Sequence, residues 1–213
     1  MADEQRGRRG SYAKGVAKRE EILERALEVI AREGYRGASV KELADAVGLS
    51  QAGLLHYFDS KEELFTAIVR KRDEVDLARF DPIDLSTASL ADVREGYVSV
   101  VRRNAEVPGL VQLYSQMAVD AADVQHPAHG FFIERGENLR GMLASVIAAR
   151  SESGDITDRI DPDALARILQ AVADGLQVQW MLEPDVDMAG IVGQLFDVLV
   201  QAVPARTGDD RTA

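Results

Sequence analysis

Apolar residues recur every three or four positions along most of the chain, which is the spacing of an amphipathic helix. The first stripe runs over residues 17–33 and contains Ile22 and Ile30. Gly34 follows it, at a position where helices commonly end through a glycine. Similar stripes, separated by short polar or proline-containing breaks, continue to a last helix that is predicted to end near Val203. No stretch alternates like a β-strand, so the sequence predicts an all-α protein of about nine helices.

Residues 39–65 predict two short helices, a tight turn and the start of a third helix. Ser39 and Ser50 precede the two short helices as N-cap residues, and a glycine lies where the first of them would end. Leu54 and Phe58 are one turn apart and would face the core. A Ser-x-x-Glu capping box then opens the longer third helix. This order has the geometry that places a second helix in the major groove of DNA.

The composition is that of a globular chain, with 46% hydrophobic and 29% charged residues. The absence of cysteine excludes disulfides and thiolate chemistry. No run of about 18 apolar residues is present to cross a membrane, and the first residues have no apolar stretch typical of a signal peptide. The sequence therefore predicts a cytoplasmic protein with no membrane partner.

Charge is distributed unevenly along the chain. Residues 1–72 hold 14 of the 25 Lys and Arg residues and 12 of the 36 Asp and Glu residues, a balance of +2. Residues 73–213 hold the other 11 Lys and Arg residues and 24 Asp and Glu residues, a balance of −13, and the two balances give the formal net charge of −11. This asymmetry favours a nucleic-acid-binding end on an acidic body over a uniformly acidic protein. The alternative is a solvated surface whose charge happens to vary along the chain.

Residues 1–16 carry Arg6, Arg8, Arg9 and Lys14 among small residues, and they predict a flexible basic arm. Such an arm either contacts phosphates or the minor groove of DNA, or is a plain disordered tail.

The segments ILERALEVIAREGYRGASV, KELADAVGLS and LLHYFDSKEELF between Ile22 and Phe65 resemble the DNA-binding half of the TetR family of bacterial regulators. The resemblance implies a helix-turn-helix domain over residues 17–62 and a ligand-binding and dimerisation domain over residues 63–204, followed by a disordered tail at 205–213. It further implies a homodimeric repressor that binds a near-palindromic operator, is nucleoid-associated when bound, and is released by a small-molecule effector. Activation in place of repression stays open.

The predicted recognition helix runs from Gln51 to Tyr57. Gln51 can offer a donor and an acceptor to an adenine edge, and small or apolar residues can meet a thymine methyl group. Tyr57 and Lys61 resemble phosphate-contacting positions of the family, and His56 is assigned the same role. The full set of predicted DNA contacts is Ser39, Ser50, Gln51, Ala52, Gly53, Leu55, His56, Tyr57 and Lys61.

Two of these positions differ from the commonest pattern of the family, in which threonine stands at the place of Gly53 and tyrosine at that of Leu55. Glycine removes a hydroxyl contact and costs roughly 1 kcal/mol of helix propensity. Either a close approach of the backbone to DNA compensates for this, or the free helix is looser. The difference affects the operator sequence rather than the DNA-binding function.

The last two long helices are apolar on more than one face, which favours burial on two sides. One side would face the core and the other a second subunit, giving a four-helix interface between two copies. The alternative is that the body buries both faces itself.

Bulky and polar residues of the body predict a pocket for the effector. Plain core packing is the competing interpretation for every one of them. The predicted ligand contacts are Tyr97, Tyr114, Met117, His129, Phe131, Gln177 and Trp180.

No motif supports an enzyme, since the chain lacks a phosphate-binding glycine loop, an HExxH segment and a nucleophile elbow. His126 and His129 lie three apart near acidic residues, but Pro127 favours a helix-start turn over a metal site. No catalytic residue, metal or cofactor is therefore assigned. The second alternative is an architectural DNA-binding protein that needs no effector.

Overall fold

A computed structural model describes the backbone of residues 2–78, 88–153 and 161–201, with the side chains of 13–76, 88–89, 91–149 and 161–198. Within these parts the chain forms nine α-helices and no strand, which confirms the all-α prediction. The helices are α1 (Ala2–Glu33), α2 (Val40–Ala46), α3 (Gln51–Leu55), α4 (Lys61–Ala78), α5 (Leu90–Glu106), α6 (Pro108–Asp120), α7 (His129–Ser153), α8 (Pro162–Leu182) and α9 (Met188–Gln201). A short 3-10 helix at Tyr35–Gly37 follows α1.

The basic arm predicted for residues 1–16 is helical from Ala2 onward and forms the first part of α1. No proline interrupts residues 2–20, and most of them are good helix formers. Because the packed part of α1 already supplies the nucleus, extending the helix adds one hydrogen bond per residue without a second nucleation cost. A contact between this segment and DNA stays a prediction.

The chain divides into two compact units. The first comprises Met1–Asp81 and Arg103–Arg135, and the second comprises Pro82–Arg102 and Gly136–Ala213. α6 therefore belongs to the same unit as α1 to α4. The predicted boundary at residue 62 between a DNA-binding domain and a ligand-binding domain stays a prediction. The predicted tail at 205–213 and the predicted end of the last helix near Val203 lie outside the described residues.

The first unit is built around the inward stripes of α1, α2, α3, α4 and α6. Ile22, Leu54 and Leu64 are among its fully buried side chains, as the apolar spacing predicts. Burying an aliphatic side chain of this size stabilises the folded state by roughly 1.5–3 kcal/mol. The packing of these residues fixes the direction of the short α2 and α3, which are too short to be stable alone.

A largely buried arginine side chain, Arg72, joins α4 to neighbouring elements of the same unit. Arg72 donates to Oδ1 of Asn104 and, over 3.2 Å, to the carbonyl oxygen of Leu110. Burial lowers the pKa of Arg72 below its ordinary value, while Asp76, 3.6 Å away, acts in the opposite direction. An arginine retains its charge under ordinary conditions, so these acceptors compensate the cost of burying it.

The second unit packs α8 and α9 against α5 and α7. Its buried side chains include Val98, Leu143, Leu165 and Phe196. Both oxygens of Asp197 accept hydrogen bonds from Arg94 at 2.9 Å, which joins α9 to α5. Among the described helices of either unit, none is long and apolar enough to cross a membrane.

Candidate nucleic-acid interface

Serine side chains cap the start of α2, α3 and α4. Ser39 Oγ accepts from the backbone N–H of Glu42 at 3.4 Å, and Ser50 Oγ accepts from that of Gly53 at 3.0 Å. Ser60 Oγ accepts from the N–H of Glu63 at 3.0 Å. These bonds satisfy N–H groups that have no partner inside the helix, so each serine fixes where its helix begins.

The turn between α2 and α3 contains Gly48, whose φ of 67° lies in the left-handed region. A residue with a Cβ would be strained there, whereas glycine adopts this angle readily. Leu49 then donates its N–H to the carbonyl oxygen of Ala44 at 2.9 Å, closing the end of α2. The turn brings Ser50 to the start of α3 and sets the angle between the two helices.

α3 directs one face into the core of the first unit and the other face outward. Leu54 is 0% exposed, whereas Gln51, Ala52 and His56 are all exposed. α3 ends at Leu55, before the predicted end at Tyr57. The exposed face of α3, with its C-cap residue His56, thus carries three of the side chains predicted to meet DNA.

Gly53, Leu55 and Tyr57 are half-buried. Leu55 and Tyr57 pack against the core of the first unit, so their predicted contacts to DNA could use only the exposed part of each side chain. A Cβ at Gly53 would lie 3.2 Å from Ser50 Oγ. A side chain at this position would therefore require a small shift of the Ser50 side chain.

A groove of about 450 Å³ lies beside the exposed face of α3. Arg36, Lys41 and Lys61 contribute cationic side chains to it, and the N-terminal end of α2 lies among them. Backbone N–H groups at a helix N-terminus and nearby cations suit a phosphate. The lining residues are Tyr35, Arg36, Ala38, Ser39, Val40, Lys41, Gln51, Lys61 and Phe65.

The groove brings together Ser39, Gln51 and Lys61 from the predicted set. Arg36 and Lys41 are absent from that set. They flank Ser39 in the sequence, and Lys41 lies in the first turn of α2, so a search for cations around the predicted cap would have found both.

Tyr35 also lines the groove, and its ring packs edge-on against Phe65 with 6.0 Å between the ring centroids. Burial, followed by the negative charge of Asp120, raises the pKa of the Tyr35 hydroxyl above its ordinary value. Like any tyrosine hydroxyl at neutral pH, it can donate a hydrogen bond, here to a phosphate oxygen in the groove.

The residues predicted to line an effector pocket fall in both compact units. Tyr114, Met117, His129 and Phe131 belong to the first, and Tyr114 and Met117 are buried there. His129 Nδ1 lies 2.8 Å from the carbonyl oxygen of Ala121.

Tyr97, Gln177 and Trp180 belong to the second unit. Tyr97 donates its hydroxyl to the carbonyl oxygen of Leu169 at 3.2 Å, and Gln177 is 7% exposed. Gln177 Oε1 has no hydrogen-bond partner among the described residues. A buried acceptor of this kind is costly unless a further group satisfies it.

The segment with His126 and His129 forms a turn at the start of α7. His126 Nδ1 accepts from the N–H of Ala128 at 3.2 Å, which fits the predicted helix-start turn. In the described parts of the chain, no group of three or more His, Cys, Asp and Glu side chains could hold a metal ion.

A short helix with one exposed face, a capped partner helix before it and a cationic groove beside it define a helix-turn-helix DNA-binding protein. The sequence model of the bacterial regulatory proteins of the tetR family matches residues 22–68, and that of the C-terminal part of BetI-type transcriptional repressors matches residues 118–203.

The HTH-type transcriptional repressor AcnR of Corynebacterium diphtheriae is 27% identical over 158 residues, which are 74% of this chain and 78% of AcnR. A TetR transcription regulator from Haloarcula marismortui has the same fold, with a TM-score of 0.73 at 22% identity over 88% of this chain and 98% of its own. A transcriptional regulator from Saccharomonospora viridis, solved in complex with choline, matches with a TM-score of 0.64 at 24% identity. The match covers 86% of this chain and 95% of that regulator.

The chain therefore belongs to the TetR family, and it is a DNA-binding transcriptional repressor. Members of this family are regulators and not enzymes. They form dimers and bind small-molecule effectors.

Proposed function

We propose that two copies of this chain form a homodimer that inserts its two α3 helices into successive major grooves of a near-palindromic operator. The observation that carries this proposal is the orientation of α3, which buries Leu54 and exposes Gln51, Ala52 and His56. Gln51 would read base edges, and Lys61 with Arg36 and Lys41 would hold phosphate in the groove beside α3. The regulator would act in the cytoplasm, on the DNA of the nucleoid.

The dimer would form through the outward faces of α8 and α9. On α8, apolar or small residues recur in alternating steps of four and three, and Ile168, Val178 and Leu182 among them are 45%, 48% and 77% exposed. On α9, Ile191 and Val198 are 40% and 64% exposed. The residues of the α8 stripe are Ala164, Ile168, Ala171, Gly175, Val178 and Leu182.

These exposed stripes lie opposite the buried ones. α8 buries Leu165 and Leu169, and α9 buries Val192 and Phe196. A helix that is apolar on both sides is expected to bury both. Small residues in the α8 stripe would allow two helices to approach closely, so a second copy of α8 and α9 would complete a four-helix interface.

Release by an effector would follow from a shift between two arrangements of the dimer that differ in the separation of the two α3 helices. Gln177 supports an effector that donates a hydrogen bond, since its buried Oε1 has no partner among the described residues. Tyr97 and Trp180 of the same unit would add aromatic surface. The linkage is reciprocal, so DNA would weaken effector binding by the factor by which the effector weakens DNA binding.

The proposal is tested by selecting bound duplexes from a random DNA library and titrating the best duplex with salt. A two-fold symmetric motif with a steep salt dependence is expected, since each neutralised phosphate adds about 0.9 to the slope of log K against log salt. Gln51→Ala serves as the matched variant and should select a different motif. Enrichment of a motif without two-fold symmetry would contradict the dimeric arrangement.

An architectural protein would share the DNA-binding unit but need no effector. A screen of small molecules against the complex with the selected duplex separates the two functions. Release of the duplex by a compound that also raises the melting temperature of the free protein supports the repressor with an effector.

A further inference from the structure

Two successive cations of α1 reach the C-terminal ends of the two helices of the helix-turn-helix. Lys18 Nζ donates to the carbonyl oxygen of Val47, the C-cap of α2, at 3.5 Å. Arg19 NH1 donates to the carbonyl oxygen of Tyr57, just beyond the end of α3, at 2.5 Å. The C-terminal carbonyl groups of a helix carry partial negative charge, and a cation placed there stabilises them.

Arg19 makes two further contacts that Lys18 does not. Its NH2 donates to Oε1 of Glu63, in the first turn of α4, at 2.7 Å. Its guanidinium carbon lies 4.1 Å from the centroid of the Phe58 ring. One side chain therefore contacts the end of α3, the residues that follow it and the start of α4.

This combination of contacts needs an arginine. The guanidinium group is planar and carries several donors in a fixed fork, so it can bond two acceptors while one face stacks on a ring. A lysine has the charge but neither the fork nor the flat face. Both acceptors of Arg19 are groups of the protein, so the NH1 and NH2 donors described here are engaged within the first unit.

α3 is only five residues long, from Gln51 to Leu55. A helix of this length is not stable by itself, and its direction depends on tertiary contacts at its two ends. Ser50 fixes the first end through its cap. The contact from Arg19 to Tyr57 supplies a polar restraint at the other end.

We infer that Arg19 is a positioning residue for DNA recognition, which orients α3 without touching DNA. The inference rests on the proposed role of α3 as the element that reads bases. The competing role for an arginine in this unit is a direct phosphate contact. The two roles differ in salt dependence, because only a lost phosphate contact changes the number of counterions released.

The test compares Arg19→Gln with Arg25→Gln in the full-length protein. Arg25 is on the same helix, and its ion pair is with Glu28, three residues further along α1, so this control removes the same charge without touching α3. Affinities for the duplex selected from the random library and for a duplex of scrambled sequence are measured over a range of salt. Amide hydrogen exchange over residues 51–57 is followed in the free protein.

Arg19→Gln is expected to weaken binding to the selected duplex about tenfold or more and to leave the scrambled duplex nearly unaffected. The slope of log K against log salt should be unchanged, and exchange over residues 51–57 should accelerate. Arg19→Lys should recover only part of the specificity, since it restores the charge alone. Arg25→Gln should match the unaltered protein in all four measurements.

Equal weakening of both duplexes, with a slope reduced by about 0.9 for each copy, would identify a phosphate contact and overturn the inference. Unchanged exchange over residues 51–57 would also overturn it. If Arg19→Gln does not fold, Arg19→Lys and Glu63→Gln provide the same comparison. The role would be contradicted if both variants kept the sequence specificity and the amide hydrogen exchange of the unaltered protein. If the unaltered protein prefers no sequence, the proposed function fails, while the exchange measurement still decides whether Arg19 positions α3.

Discussion

Arg135 binds both carboxylate oxygens of Asp73, with Nε 2.5 Å from Oδ2 and NH2 3.1 Å from Oδ1. The same guanidinium group donates through NH1 to the hydroxyl of Tyr114 at 3.2 Å and lies 4.7 Å from the centroid of its ring. α4, α6 and α7 are thus joined at one point of the first unit. Lys61, beside the groove, and Asp73, in this ion pair, are carried by the same continuous helix.

Asp73→Asn should lower the free energy of unfolding by about 1–3 kcal/mol, because it leaves the partly buried guanidinium of Arg135 with a weaker acceptor. Both side chains are about a quarter exposed, at 24% and 29%, which keeps the cost below that of a fully buried pair. Denaturant unfolding measures the change. The double variant Asp73→Asn with Arg135→Gln should lose less than the sum of the two single variants, and additive losses would contradict a direct pairing.

Gln51→Ala should change which bases are preferred in the operator without changing the salt dependence of binding. Gln51 is exposed on the outward face of α3, and its amide can pair with a base edge as donor and acceptor. Loss of one such contact costs about 1–3 kcal/mol at the base concerned. Selection from a random library gives the preference, and an unchanged motif would show that Gln51 is only a surface residue.

Lys61→Ala should weaken binding to all duplexes alike and flatten the salt dependence. Each copy that loses a phosphate contact reduces the slope by about 0.9, so a dimer should lose about 1.8. Arg36→Gln and Lys41→Gln should have the same effect, because both line the same groove. Lys14→Gln removes a charge of the predicted basic arm and tests separately whether that segment reaches DNA. An altered base preference for Lys61→Ala, at unchanged slope, would contradict its assignment to a phosphate.

The elements predicted well from the sequence are those set by local interactions. Ser39, Ser50 and Ser60 each cap a helix through the backbone N–H three residues ahead, so the neighbouring residues contain the whole signal. The apolar stripes predicted the buried faces for the same reason. The start of α1 at Ala2 was not predicted from the sequence. A run of small and charged residues before a packed helix is compatible with both helix and coil.

The relationships that were not predicted join residues far apart in the chain. Arg19 contacts Tyr57 across 38 positions, and Arg135 contacts Asp73 across 62. No spacing rule connects such pairs, because the fold determines which helices meet. The residues predicted to contact an effector lie in both units, and their role stays a prediction.

Leu182→Glu combined with Val178→Glu should convert the dimer into monomers and reduce operator binding with it. Both side chains are exposed on the α8 stripe, and two like charges from each copy would meet in the proposed interface. Light scattering coupled to size exclusion measures the mass, and circular dichroism checks that the helices are retained. Ile133→Glu is the matched control, since Ile133 is an exposed apolar residue, at 51%, on α7 of the first unit. A double variant that stays dimeric would place the interface elsewhere.

Gly109→Ala should lower the free energy of unfolding by about 1–3 kcal/mol, the usual cost of forcing an extra carbon into a packed site. A Cβ at Gly109 would lie 2.8 Å from Gly34 Cα, and that atom belongs to the backbone at the end of α1. Gly34 donates its N–H to the carbonyl oxygen of Ile30 at 3.0 Å, and a shift of this backbone to make room would strain that hydrogen bond.

Gly141→Ala on α7 provides the opposite case. No atom lies within 4 Å of a Cβ at Gly141, and alanine favours a helix interior over glycine by about 1 kcal/mol, so this variant should be stabilised. Thermal and denaturant unfolding of the two variants side by side separates the packing effect from the gain in helix propensity. Because α6 meets the end of α1 at Gly109, operator affinity should also fall in Gly109→Ala and stay unchanged in Gly141→Ala. Stabilisation of both variants would show that α6 does not approach α1 as closely as described.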